Sequence, residues 1–136
     1  MMQNNTALIV VDVQNGFTPG GNLAVVHADQ IIPNINQLAQ YFETIVITQD
    51  WHPENHVSFA VNHTAKQPFE TIELDYGTQV LWPVHCVQGT ADAELHPDLD
   101  LPTAQLIIRK GFHEQIDSYS AFMEADRKTT TGLAAY

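Results

Sequence analysis

Three runs of unbroken apolar, β-favouring residues punctuate the chain: Thr6-Ala7-Leu8-Ile9-Val10-Val11, Glu43-Thr44-Ile45-Val46-Ile47-Thr48 and Gln105-Leu106-Ile107-Ile108-Arg109. Hydrophobicity that is continuous rather than alternating predicts strands buried on both faces. Between the first two runs a Pro19-Gly20-Gly21 turn precedes a helical period at Ile31, Ile35, Leu38 and Phe42. Asp29 is the expected cap of that helix, and Pro33 fits only in its first turn. Strand, helix and strand with short joints make a βαβ unit, so an α/β fold with a parallel sheet is expected.

The stretch from Trp51 to Thr103 shows only short, broken patterns and reads as a long irregular segment of the kind usually kept for function. From Thr129 to Tyr136 the pattern suggests the opening of a helix, without a cap glycine, last-turn cations or closing turn. The expectation is therefore a single domain over 1–136, an N-terminal portion interrupted inside an element.

Charge narrows the function classes. Five Lys and Arg against 16 Asp and Glu give a net charge of −11, so a phosphate backbone would be repelled and nucleic acid is not an expected partner. The opening Met1-Met2-Gln3-Asn4-Asn5 lacks the positive region of a signal peptide, and Ala7 to Val11 is far too short to span a membrane. One cysteine, Cys86, excludes an internal disulfide and suits a reducing cytoplasm, the expected compartment.

Each apolar run is closed by a charge: Asp12, Asp50 and Lys110. Ligands of open parallel sheets bind outside the carboxyl ends of the strands, which directs Asp12 and Lys110 into one site. They read either as a structural ion pair or as a proton-transfer carboxylate beside a cation. Asp50 and His52 lie two residues apart, on one side of an extended chain, and offer ligands suited to zinc, iron or manganese. The third ligand is open among His56, His63, His85 and His96, and an isolated Asp-x-His is more often an ordinary surface dipeptide than a metal site. His27 and His113 have no partner spacing. Cys86, inside Trp82-Pro83-Val84-His85-Cys86-Val87, has no strand-to-helix elbow to lower its pKa and reads as a packed thiol.

Taken in order, several segments resemble the nicotinamidases (pyrazinamidase-type) of the isochorismatase-like cysteine hydrolase superfamily. They are Leu8 to Phe17 (LIVVDVQNGF), Pro19 to Val25, Asp50 to Phe59 (DWHPENHVSF), Leu81 to Thr90 (LWPVHCVQGT), Ile108 to Gly111 and Asp117 to Phe122 (DSYSAF). No single segment is decisive, but the ordered set is specific and covers nearly the whole chain. The resemblance implies a Rossmann-like, three-layer fold: an open parallel sheet with helices on both faces, incomplete in this chain. It implies a nicotinamide amidohydrolase of NAD salvage acting through a cysteine acyl-enzyme, with pyrazinamide as a second substrate.

By the same resemblance Asp12 is the acid/base and Lys110 the catalytic lysine. Asp50, His52 and His85 bind a divalent metal, zinc first, and Phe17 and Trp82 wall the ring pocket. His56 serves as an extra ligand in some relatives. Gly16 departs from the acidic residue common there. The implied nucleophilic cysteine falls after Tyr136, so residues 1–136 alone are expected to be inactive. The rival readings are an isochorismatase-type or N-carbamoyl amide hydrolase, and a non-catalytic metal- or ligand-binding relative.

Overall fold

A computed structural model describes residues 5–136 of the chain, so the reading of Met1 to Asn4 lies outside the described residues. Strands β1 (Ala7–Val11), β2 (Thr44–Asp50) and β5 (Leu106–Lys110) form a parallel sheet in the order β1-β2-β5. Strands β3 (Thr71–Leu74) and β4 (Gly77–Val80) form a separate antiparallel hairpin, and the one α-helix among the described residues is α1 (Ile32–Ala39). No helix among them is long and apolar enough to cross a membrane.

The register explains the two sheet faces. Val10 pairs with Ile47 and Leu8 with Ile45, and these side chains pack with Ile32, Ile35, Ala39 and Phe42 around α1. On the opposite face Val11 pairs with Thr48, Thr48 with Ile108 and Asp50 with Lys110. Strand alternation thus puts Thr48, Asp50 and Lys110 on the face away from α1.

Several expectations from the sequence need correction. Asp29 does not cap α1; it lies in a 3-10 turn, Ala28–Ile31, and Ile31 takes the cap position without a side-chain bond. The 3-10 turn rotates the helix, burying Ile32 and Ala39 and leaving Ile31 and Leu38 exposed. Pro33 does sit in the first turn, where its missing N–H costs nothing. Strand β2 runs through Asp50 instead of ending before it, because its last two residues pair with Arg109 and Lys110 and their polar side chains are hydrogen-bonded.

The hairpin β3–β4 interrupts the stretch expected to be irregular; the alternation Thr71-Ile72-Glu73-Leu74 before Gly77 is its signal. The C-terminal segment holds a 3-10 turn, Leu133–Ala135, instead of the expected opening of a helix from Thr129. There Thr129 and Thr131 are engaged in backbone bonds with Glu124 and Phe122, and Gly132 turns with φ 95°.

Candidate active site and metal centre

The carboxyl ends of β1, β2 and β5 bring Asp12, Asp50 and Lys110 together. Lys110 Nζ lies 2.9 Å from Asp12 Oδ2, donates to Asp50 Oδ1, and donates to the Ser118 carbonyl at 3.2 Å. An ammonium has three N–H donors, so these three oxygens use them all. Lys110 is 2% exposed, and burial opposes its charge, yet the two carboxylates outweigh burial and raise its pKa above the ordinary lysine value. Burial also raises the Asp12 carboxyl, as does the charge of Asp50, against the lowering effects of Lys110 and Thr48.

Asp12 reaches this cluster through an unusual backbone. It follows Val11, so extended chain would aim its side chain at the α1 face, away from Lys110. Its φ of 52° lies in the left-handed region, which Asp tolerates better than most residues at a cost of about 1–3 kcal/mol. That turn redirects the carboxylate to the Lys110 side.

Beyond the break at Asp12, Gln14 takes over the ladder. Its Oε1 accepts the Asp50 N–H at 2.8 Å, and its Nε2 donates to the Asp50 carbonyl at 2.9 Å and to the Ala93 carbonyl at 2.8 Å. A buried side-chain amide thereby fixes the backbone that presents Asp50. His52 follows, and an isolated parallel bridge from His52 to Val87 carries the His85-Cys86-Val87 segment alongside it. That bridge is why His85 arrives next to His52 despite the intervening chain.

The two imidazoles are set as ligands. Nδ1 of His52 donates to the Gly111 carbonyl at 2.7 Å, and Nδ1 of His85 to the Pro83 carbonyl at 2.7 Å. A carbonyl only accepts, so each Nδ1 carries the proton and each neutral ring leaves a bare lone pair on Nε2. These Nε2 atoms lie 3.5 and 3.9 Å from Asp50 Oδ2. Buried lone pairs facing a carboxylate repel unless a cation lies between them, and one metal bonding at about 2.0–2.2 Å reaches all three. The residues therefore fit a divalent metal.

The same geometry favours a proton in the metal's place. Burial lowers the His52 pKa, but the Asp50 carboxylate outweighs it and the net shift is upward. Asp50 itself, which burial would raise, is held at about 2 by His52 and Lys110. Gly111 is required for the His52 contact: with φ 70°, a Cβ there would stand 2.5 Å from His52 Cε1. Phe59 closes the centre from beneath, with ring centroids 5.4 Å from both His52 and His85.

His56, His63 and His96 are committed to other partners, although the His56 ring lies 4.2 Å from that of His52. His56 Nε2 meets the Ile116 carbonyl at 3.0 Å and its Nδ1 meets Ser58 Oγ at 2.7 Å, so both ring nitrogens are engaged. His56 and Asp117 lie near enough to His52 to form a second group of ligand atoms. Burial and the neighbouring His52 push His56 down to about 4, so it stays neutral and hydrogen-bonded. His63 is engaged with the Val57 carbonyl at 2.7 Å, and His96 with the Asp98 N–H at 3.2 Å.

Cys86 is fully buried, its N–H donating to Asp92 Oδ2 at 2.7 Å. Burial first, then Asp50, Asp92 and Asp12, raises its pKa far above the ordinary thiol value, which disfavours the thiolate. At Gly16, a Cβ would meet Asp92 Oδ2 at 2.6 Å and Cys86 Sγ at 2.8 Å. The Asp92 carboxylate already fills that space.

A cavity of about 210 Å3 opens over the cluster, lined by Asp12, Phe17, Trp82, His85, Lys110 and Tyr119 among others. That exceeds the roughly 150 Å3 of a cavity that holds benzene, the scale of one small ring compound. A larger, open hollow of about 1330 Å3 lies between the hairpin and the 115–128 segment, but neither Asp12, Lys110 nor the metal-suited triad lines it. Gln14, Thr48 and Gln79 carry no separate sign in the sequence, because their roles arise from contacts across the fold. Gln79 donates to Asp117 Oδ2 at 2.7 Å and to the Tyr119 hydroxyl at 3.0 Å, and Trp82 Nε1 donates to that hydroxyl at 3.1 Å.

Comparison with known families returns the isochorismatase domain over residues 6–131. The chain belongs to the isochorismatase family. One isochorismatase-family relative, a nicotinamidase of Acinetobacter baylyi, is 81% identical over 98% of this chain and 62% of its own length. A solved nicotinamidase/pyrazinamidase of Acinetobacter baumanii superposes with a TM-score of 0.98 at 75% identity, covering 100% of this chain and 66% of the other. A pyrazinamidase of Pyrococcus horikoshii in complex with zinc gives a TM-score of 0.68 at 38% identity, covering 95% of this chain and 61% of the other. The chain thus spans about three-fifths of the length of the curated relatives it matches.

Proposed function

We propose that this isochorismatase-family chain serves a nicotinamide amidohydrolase, releasing nicotinate and ammonia as a step of NAD salvage. The observation that carries the reading is the shared Asp50 carboxylate. One oxygen holds Lys110, which holds Asp12, and the other faces two imidazoles whose lone pairs are aimed at it. Similarity to the nicotinamidase of Acinetobacter baylyi supports the substrate class, and pyrazinamide is the expected second substrate.

Asp50, His52 and His85 would hold the metal, for which zinc is supported by the donor set and by the zinc-bound relative. When bound, it would supply a coordination point that orients a pyridine nitrogen. Phe17 and Trp82 would flank the ring, leaving its carboxamide toward Asp12. A carboxamide is a poor electrophile and needs an activated thiolate. Cys86 is unsuited to that task, so the nucleophile is assigned to a cysteine outside residues 1–136, within the same hydrolase domain.

Asp12 takes the thiol proton as the sulfur bonds to the carbonyl carbon, then gives it to the departing nitrogen as the C–N bond breaks. A water then replaces sulfur on the acyl carbon, yielding the carboxylic acid and regenerating the thiol. With all three donors engaged, Lys110 acts by holding Asp12 and by its charge, which offsets negative charge developing nearby. The test is an ammonia-release assay on the full-length protein, with nicotinamide and with N-carbamoyl amides. Turnover of nicotinamide is expected; turnover of only the N-carbamoyl substrates would replace this reading with the neighbouring hydrolase class.

A further inference from the structure

Thr48 lies on β2 beneath the proton-transfer pair and is fully buried. Its hydroxyl donates to Asp12 Oδ1 at 2.6 Å and accepts the Asp12 N–H at 3.1 Å, while its carbonyl accepts the same N–H at 3.2 Å. A hydroxyl has one donor and two acceptor lone pairs, and here a single residue engages both the backbone and the carboxylate of Asp12. Those are the groups that the left-handed turn at Asp12 must hold in place, since extended chain would send the carboxylate to the other face of the sheet.

We infer that Thr48 is a positioning residue for proton transfer: its hydroxyl occupies Asp12 Oδ1 and leaves Oδ2, beside Lys110 and the cavity, as the oxygen that exchanges protons. The inference rests on the amidohydrolase reading and adds to it a residue that touches neither metal nor substrate. Three observations converge. Asp12 Oδ2 lies 2.9 Å from Lys110 Nζ, so the two oxygens of one carboxylate have different partners. The register sets Val11 opposite Thr48 and Thr48 opposite Ile108, fixing the hydroxyl between β1 and β5. The aliphatic part of Thr48 is enclosed by the sheet, so its rotamer is restricted by its β-branch.

The test compares Thr48→Val, which keeps the shape and removes the hydroxyl, with Thr48→Ser, which keeps the hydroxyl and removes the methyl. Both are made in the full-length protein with metal content measured. Thr48→Val is expected to lower kcat for nicotinamide at least about ten-fold, a part of the 10²–10⁴ available to general acid–base catalysis. KM and metal content should stay within about two-fold, and Thr48→Ser should recover most of kcat.

An unchanged kcat in Thr48→Val, or a kcat loss matched by loss of metal or not recovered by serine, overturns the inference. Should Thr48→Val not fold, Thr48→Ala is read in the same way; if neither folds, Thr48 serves packing and the inference is wrong. An unmodified protein inactive on nicotinamide refutes the functional reading instead. A crystal structure of Thr48→Val then decides the positioning by itself. A carboxylate of Asp12 turned away from Lys110 supports it, and an unmoved carboxylate contradicts it.

Discussion

Two regions meet at the cavity, and they are held in different ways. The charged floor, made by Asp12, Asp50 and Lys110, stands on three paired parallel strands with every donor of Lys110 engaged. The aromatic wall, made by Phe17, Trp82 and Tyr119, stands on a 3-10 turn, Asn15–Phe17, and on loops. Trp82 is tied through one indole N–H to the Tyr119 hydroxyl, which is tied in turn to Gln79 of the hairpin. Tyr119 is 59% exposed, whereas Lys110 is 2% exposed. On the proposed function, the buried floor would carry proton transfer and the more exposed wall would select the ring. Damage to the floor should abolish kcat, and damage to the wall should raise KM.

The largest effect is expected from the floor. Asp12→Ala and Lys110→Ala, each in the full-length protein, should lower kcat by about 10³-fold or more while the metal stays bound. Loss of Lys110 also leaves the buried Asp50 and the half-buried Asp12 carboxylates uncompensated, so its thermal midpoint should drop further than that of Asp12→Ala. Steady-state kinetics with metal analysis checks both, and near-normal turnover in either variant would remove the distinction between floor and wall.

Next in size is the metal. His52→Ala or His85→Ala should each release it, with an affinity loss beyond the 10–100-fold typical of outer-shell changes. Chelator competition measures this without reference to turnover. The pH dependence has a definite sign: protons and metal compete for the same Nε2 lone pairs, so affinity must fall as pH falls. His52, whose proton affinity Asp50 raises, is the ligand that a proton takes first.

Smaller effects probe the joints between the regions. Gly111→Ala places a methyl against the His52 ring and strains a backbone at φ 70°. It should weaken metal binding and lower the thermal midpoint together. Trp82→Phe removes the indole N–H that anchors the wall to Tyr119 and should raise KM for nicotinamide several-fold with kcat nearly unchanged. Cys86→Ala should change turnover least, since the thiol is buried and its proton strongly held.

The same contrast explains what is legible in the sequence. The three sheet strands announce themselves as apolar runs, and the charges that close them, Asp12, Asp50 and Lys110, can be assigned to one end of a parallel sheet from the residue pattern alone. Period and residue type carry that information locally. The meeting of His85 with His52 is not local: it depends on one backbone bridge to Val87 across a long loop, and only the family resemblance singles out His85 from four histidines. Nor does the sequence reveal the left-handed turn at Asp12, the clamp of Gln14 on Asp50, or the hydroxyl of Thr48. Each of these polar residues gains its role from a partner far along the chain. The expected helix cap fails for a related reason, since a 3-10 turn ahead of α1 displaces Asp29 from the position its sequence pattern favours.

The central claim, that one end of the sheet carries both a proton-transfer pair and a metal centre sharing Asp50, is tested most directly by anomalous diffraction from zinc-loaded crystals of the full-length protein. The account predicts one zinc ion bonded at about 2.0–2.2 Å to Asp50, to His52 Nε2 and to His85 Nε2, with Lys110 still bridging Asp50 and Asp12. Zinc more than about 3 Å from any of these three ligands, or bound at His56 and Asp117 instead, would contradict it.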